Sequence, residues 1–254
     1  MNVIELQGVT KSFGSQVVLE NLDLGVSEGK TLVIVGASGQ GKSVILKHML
    51  GLVTPDSGKV MVLGKDVARL GRAELTEVRK NFGVLFQNAA LLDSMNIFDN
   101  IALPLRERTG LSESKIAARV GELLEMMDLP DSSEKFPEQL SGGMKKRAGL
   151  ARALALNPKI VFFDEPTTGL DILKANEVYR LFHKAQKELG YTAVIVSHDV
   201  PKIFKLADKV ALLAECKIQV CLPPEQFQRS ENAHVRSFVE ITMGPVYSSS
   251  SEEV

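Results

Sequence analysis

The chain has 254 residues, room for one large domain or two small ones, and at that length it needs no disulfide or metal staple to bury a core. Hydrophobic residues at 44% and charged residues at 24% exclude a disordered chain. The 30 Lys and Arg against 31 Asp and Glu leave a net charge of -1, without the basic excess that phosphate contacts demand of a general nucleic-acid binder. Cys216 and Cys221 have no companion Cys or nearby His, so they read as reduced thiols rather than a disulfide scaffold or zinc site. The start, MNVIELQGVT, lacks the basic and apolar regions of a signal peptide. The longest apolar runs fall far short of the ~18 residues of a membrane span. A soluble, cytoplasmic chain is therefore expected.

Taken in order, residues 2–8 and 17–26 alternate apolar and polar positions, as half-exposed strands do. TLVIV at 31–35 is a short, β-branched, fully apolar run and predicts a buried strand. An apolar helix follows at 44–50. Turns are expected at Pro55-Asp56-Ser57-Gly58 and Gly64-Lys65-Asp66, flanking a strand at 59–63. Further buried strands are predicted at 82–86, 159–163 and 192–196, and alternating ones at 209–213 and 217–220. The alternating strands predict an antiparallel layer beside a parallel sheet. Between about 88 and 156 strand patterns stop. Ser112 opens a helix with Ile116, Val120, Leu123, Leu124 and Met127 on one face, and Ser141 opens another with Met144, Ala148, Ala151 and Ala155 together. Lys145, Lys146 and Arg147 on that second helix read as a solvated face. The tail from Gly244 is serine-rich and acidic and reads as mobile.

Gly36-Ala37-Ser38-Gly39-Gln40-Gly41-Lys42-Ser43 fits the phosphate-loop pattern G-x-x-x-x-G-K-[ST], between a strand and a helix. Glycines let backbone N–H groups approach phosphate oxygens, and the following helix start adds its positive dipole end. In that pattern Lys42 reaches the β- and γ-phosphates of a nucleotide and the Ser43 hydroxyl ligates Mg²⁺. The strand Ile160-Val161-Phe162-Phe163 ends in Asp164-Glu165, which sets two carboxylates at the sheet edge where such folds bind ligands. Asp164 is expected in the magnesium shell. Glu165 is expected to polarise the attacking water.

Leu140-Ser141-Gly142-Gly143-Met144, a flexible helix cap when taken alone, lies after the phosphate loop and before Asp164-Glu165. With that order of motifs the chain resembles the ATP-binding cassette family over residues 2 to about 230, with Met144 in place of the signature's usual Gln. The resemblance implies a P-loop NTPase (RecA-like) α/β core with an antiparallel β-layer and a helical insertion. Residues 1–87 and 157–243 would form the core, 88–156 the helical subdomain and 244–254 a tail that is mobile or contacts a neighbouring subunit. It implies ATPase activity, with Glu165 as general base, His198 on the γ-phosphate, and Lys42 and Gln87 completing the catalytic set. Gln87 would join Ser43 and Asp164 around Mg²⁺. Val44 takes a place where many cassettes have a Thr near the α-phosphate. Phe13, a core ring when read alone, would stack on adenine with Val18 flanking the base. The family works as a head-to-tail pair, so Ser141, Gly142, Gly143 and Asp171 would act in trans on a second copy. Ile172 replaces the Pro that commonly follows the last of these.

Finer stretches are similar to ATPases of the Mla/Mce type: Gly41 to His48, Met144, Asn96 to Glu107, Ser197-His198-Asp199-Val200-Pro201, and Gly244-Pro245-Val246 in the tail. That resemblance implies ATP-driven phospholipid transport, with permease subunits and an MCE-domain lipid-binding protein as separate chains, on the cytoplasmic face of a bacterial inner membrane. Leu91, Leu92, Phe98 and Ile101 are candidates for permease contact or for the subdomain's own core. The alternatives are the ATPase of a small-solute importer, such as one for amino acids, and a non-transport cassette acting on ribosomes or DNA. One cassette with no basic excess speaks against the latter.

Overall fold

The computed structural model describes residues 1–198, 200 and 202–244. Its elements begin with strands β1 (Asn2–Phe13), β2 (Gln16–Ser27) and β3 (Thr31–Val35), helix α1 (Lys42–Met49), β4 (Ser57–Val62), β5 (Lys65–Asp66) and α2 (Arg72–Arg79). There follow β6 (Phe82–Leu85), α3 (Ile97–Arg108), α4 (Glu113–Met126), α5 (Gly142–Leu154), β7 (Ile160–Asp164) and α6 (Ile172–Leu189). The last are β8 (Thr192–Val196), β9 (Lys209–Ala214), β10 (Lys217–Leu222), α7 (Pro224–Gln228) and α8 (Ala233–Met243). The chain divides into two compact units, one of residues 1–76 with the segment from Val194, the other Glu77–Ala193.

In the first unit, β1 and β2 form a hairpin closing at Phe13 opposite Gln16, and the antiparallel sheet runs β2-β1-β4-β5. Ile4, Leu6, Leu22 and Leu24 are buried on it, as the alternation predicts, and Val9 is buried beyond a register shift after Leu6. The first unit also holds β10, β9 and β3, side by side in that order. β9 is parallel to β3, with Leu32 opposite Lys209 and Val35 opposite Leu212, and β10 is antiparallel to β9. This corrects the expectation that 209–213 and 217–220 belong to the antiparallel layer. Val210 to Leu213 are all buried, so β9 is a fully covered strand of the parallel sheet and β10 is added at its edge. At the β9–β10 turn, Glu20 N donates to the Cys216 carbonyl at 2.9 Å and the Cys216 thiol to the Val17 carbonyl at 3.3 Å.

In the second unit β7 and β6 lie side by side, with Phe82 opposite Ile160 and Leu85 opposite Phe163 in parallel register. Rings lock this layer: Phe82 meets Phe162 edge-on at 5.3 Å, and Phe163 lies 4.7 Å from Phe182 of α6. Ser112 is the residue before α4, whose buried face is Ile116, Val120, Leu123 and Leu124, with Met127 also buried just beyond. α5 packs closely on β6, since a Cβ on Gly149 would lie 2.8 Å from Leu85 Cδ1. Among the described residues no helix is long and apolar enough to cross a membrane.

Candidate nucleotide-binding site

In the first unit the phosphate loop connects β3 to α1. Gly36 has φ +150°, and a Cβ there would lie 2.3 Å from the Leu213 carbonyl oxygen, so a side chain cannot be accommodated. Gly41 caps α1 with φ +100°, and a Cβ there would meet Val18 Cγ1 at 2.6 Å, which places Val18 directly behind the loop. Gly39 faces the other way: a Cβ on it would touch nothing within 4 Å, and Ala37 and Ser38 beside it are exposed. Lys42 is only 7% exposed, and its ammonium donates to the carbonyls of Gly36 at 2.8 Å and Ala37 at 2.9 Å. The first turn of α1 contains no acidic residue. An open glycine face, a helix start without carboxylates and a buried ammonium make a site suited to polyphosphate.

Phe13, at the end of β1, is 51% exposed with the Lys11 ammonium 5.5 Å from its ring centroid. This corrects the reading of its ring, taken alone, as core. Val44 and Gln40 are half-buried. His198 follows β8 and is exposed; the Ser197 N–H before it donates to Ile34 of β3 at 3.3 Å. Asp199, Pro201 and the tail beyond Gly244 lie outside the described residues.

In the second unit Asp164 ends β7 and Glu165 follows with φ +48°, a left-handed conformation that costs a non-glycine residue about 1–3 kcal/mol. Thr168 supports it, donating from Oγ1 to Glu165 Oε2 at 3.4 Å and from its N–H to the Glu165 carbonyl at 3.3 Å. Gln87 follows β6 with its side chain exposed. Ser141 caps α5, its hydroxyl accepting from Met144 N at 3.3 Å, while Gly142 is exposed and Gly143 buried. Asp171 caps α6, accepting from Lys174 N at 3.0 Å and pairing with the Lys174 ammonium at 2.9 Å. The backbone N–H of Lys174, then its ammonium, hold the Asp171 carboxyl below the usual range. Leu173 next to it is 75% exposed. Of the four candidates for permease contact, Ile101 is core, Leu91 and Phe98 are half-buried and Leu92 is exposed.

One prediction about α5 was wrong. Lys146 is 5% exposed, and its ammonium donates to the Gln87 carbonyl. Arg147 donates to the carbonyls of Met127 at 3.2 Å and Asp128 at 3.1 Å. The run of three cations is therefore not a solvated face. Lys146 and Arg147 satisfy loop carbonyls inside the unit, and a charge run carries no mark of that in sequence.

A P-loop nucleotide-binding fold with this order of motifs defines the class, and the profile of the family described as "ABC transporter" matches residues 19–168. The chain belongs to the ABC transporter family. It is 41% identical, over 96% of its length and 70% of the relative's, to the "Probable ribonucleotide transport ATP-binding protein mkl" of Mycobacterium leprae. It is 39% identical, over 94% of its length and 90% of the relative's, to the "Intermembrane phospholipid transport system ATP-binding protein MlaF" of Haemophilus influenzae. A solved structure of a dimeric ATP-binding cassette in a post-hydrolysis state bound to ADP and Pi matches with a TM-score of 0.79 and 31% identity, covering 87% of this chain and 98% of that one. The chain is accordingly an ATP-binding ATPase of this family.

Proposed function

We propose that the chain is the ATP-hydrolysing subunit of a transporter of the Mla/Mce type that energises phospholipid movement through a separate permease. The observation that carries this reading is the 39% identity to a phospholipid-transport ATPase over nearly the whole of both chains. The ribonucleotide named for the mycobacterial relative is the second reading of the cargo. It is less favoured, because that match spans only 70% of the relative.

The chemistry follows from the residues. The loop N–H groups of 36–43 and the Lys42 ammonium bind the β- and γ-phosphates. Phe13 stacks on adenine and Val18 flanks it. The oxygen donors Ser43, Asp164 and Gln87 suit a hard cation and would hold Mg²⁺, which supplies charge neutralisation at the phosphates when bound. Glu165 accepts a proton from the attacking water at a carboxylate oxygen, and its φ fits a residue held in place for function rather than for stability. His198 donates a hydrogen bond to the γ-phosphate. Ser141, Gly142 and Gly143 of a second copy present a helix N-terminus to the same phosphate, with Asp171 at the interface between copies. ATP then joins a head-to-tail pair and hydrolysis separates it.

The domain reading that accompanies this is one cassette over 1–243 with a helical subdomain at 88–156. Its place is the cytoplasmic face of the inner membrane, against permease subunits and an MCE-domain lipid-binding protein. Purification of the chain with its membrane partners, followed by lipid extraction, tests the proposal. Co-purifying phospholipid and an MCE-domain protein are expected. A polar-solute receptor in their place overturns it.

A further inference from the structure

Helix α5 holds the loop after β6 by its backbone. The Lys146 ammonium donates to the carbonyl of Gln87. Arg152, farther along the helix, donates to the carbonyls of Ala89 at 2.9 Å and Ala90 at 2.7 Å. Between those cations Gly149 lets the helix backbone close on the loop, since a Cβ there would lie 3.0 Å from Ala89 Cβ. Ala89 and Ala90 both have left-handed backbones, at φ +58° and +50°. Two consecutive strained residues persist only where surroundings over-determine them. On the loop's far side Asn100 accepts from Leu92 N at 2.7 Å and donates to the Leu92 carbonyl at 3.0 Å. The same α5 begins at Ser141.

Stability is a poor reason for Lys146. Burial disfavours its charged form, offset in part by the Glu165 carboxylate. An apolar side chain of similar length would fill the space without that desolvation cost. The cation is better explained by what it grips.

We propose that Lys146 is a positioning residue of the ATPase: it latches the Gln87 carbonyl to α5, so that the Gln87 side chain and the Ser141 end of the helix move as one piece. This rests on the reading of Gln87 and Glu165 as site residues. It adds a coupling element within the second unit that connects the magnesium-side loop to the end of α5 offered to the second copy. Nothing in a lysine's charge alone would place it there, because the grip is on a backbone carbonyl 59 positions away.

The test is steady-state MgATP hydrolysis by the full chain, with thermal midpoints, for wild type, K146M, K146R, Q87A and Q87A/K146M. K146M is expected to lose about tenfold in kcat with its KM for ATP within about twofold of wild type and no lower midpoint, the split of a group that acts in the transition state rather than in binding. K146R should keep at least about half of the rate, since a guanidinium can also reach a carbonyl. In the Q87A background, K146M should subtract less than about twofold, because the side chain it positions is gone. K146M turning over normally, a loss fully additive with Q87A, or a K146M chain that does not fold each overturns the proposal. E165Q separates the two readings: normal hydrolysis by that variant sinks the site assignment itself, whatever Lys146 does.

Discussion

The Lys42 ammonium lies 2.8 Å from the carbonyl oxygen of Gly36, so the first and seventh residues of the phosphate loop are tied together before any nucleotide arrives. The charge is thereby held in the loop's interior, close to where phosphate oxygens would sit. Lys42→Met removes a charge-assisted bond worth about 1.5–3 kcal/mol, so the Kd for MgATP should rise about 10- to 100-fold. Titration with a fluorescent ATP analogue measures it. An unchanged Kd would remove Lys42 from the phosphate site.

Glu165→Gln keeps the shape of the side chain and deletes the proton acceptor. Turnover should fall by about 10²–10⁴, while ATP binding persists. With hydrolysis blocked, an ATP-bound dimer should accumulate on size-exclusion chromatography. Near-normal phosphate release would end the assignment of Glu165 as base.

Ser141 has two separable tasks. As the cap of α5 it accepts from Met144 N at 3.3 Å, and Ser141→Ala should cost about 1 kcal/mol of stability, Ser141→Gly only a few tenths. As a group presented to the neighbouring copy's phosphate, it should be missed equally in both variants. Thermal melts are expected to separate the two variants, and ATP-dependent dimerisation is expected to fail in both. If the Gly variant dimerises like wild type, the hydroxyl has no part in the contact.

His48 on α1 is buried, with Nδ1 2.7 Å from the Val44 carbonyl and Nε2 without a hydrogen-bond partner among the described residues. Burial lowers its pKa below the ordinary 6.5, an effect that the Val44 hydrogen bond only partly opposes. The unfolded chain therefore takes up this proton first as pH falls through 6.5, while the folded chain resists until lower pH. Stability contributed by the neutral ring is present above that value and is lost on acidification, at up to about 1.4 kcal/mol per pH unit. The thermal midpoint should drop between about pH 7 and 5 in wild type and drop less in His48→Gln. Equal slopes in the two proteins would show that His48 does not titrate on unfolding.

Much of the site was legible because its signals are local. TLVIV, the glycines of 36–41 and Lys42-Ser43 are contiguous, and the strand, loop and helix formed where the apolar run ends and the glycines begin. Asp164-Glu165 was legible for the same reason, at the end of IVFF. Phe13 was misread when taken alone because a ring in a strand is usually core; only its place beside the turn that closes the hairpin leaves it half in solvent. Helices α3 and α6 went unread although their signals are local: Asn96 and Asp171 cap them by accepting from Asp99 N and Lys174 N, and Ala175, Val178, Tyr179, Phe182 and Ala185 repeat at helical spacing along α6.

The sequence by itself determined the main strands of this cassette, helices α1, α4 and α5, and the chemical identity of its phosphate loop, acid pair and signature, because each depends on neighbours along the chain. Tertiary structure decided which sheet Lys209–Ala214 joins, since strand pairing depends on distant partners such as Leu32 to Val35. It also decided that Lys146 faces inward to the Gln87 carbonyl instead of outward to water. Charge can be read from a residue's type, but burial and the partner that makes burial tolerable arise only when distant segments close around it.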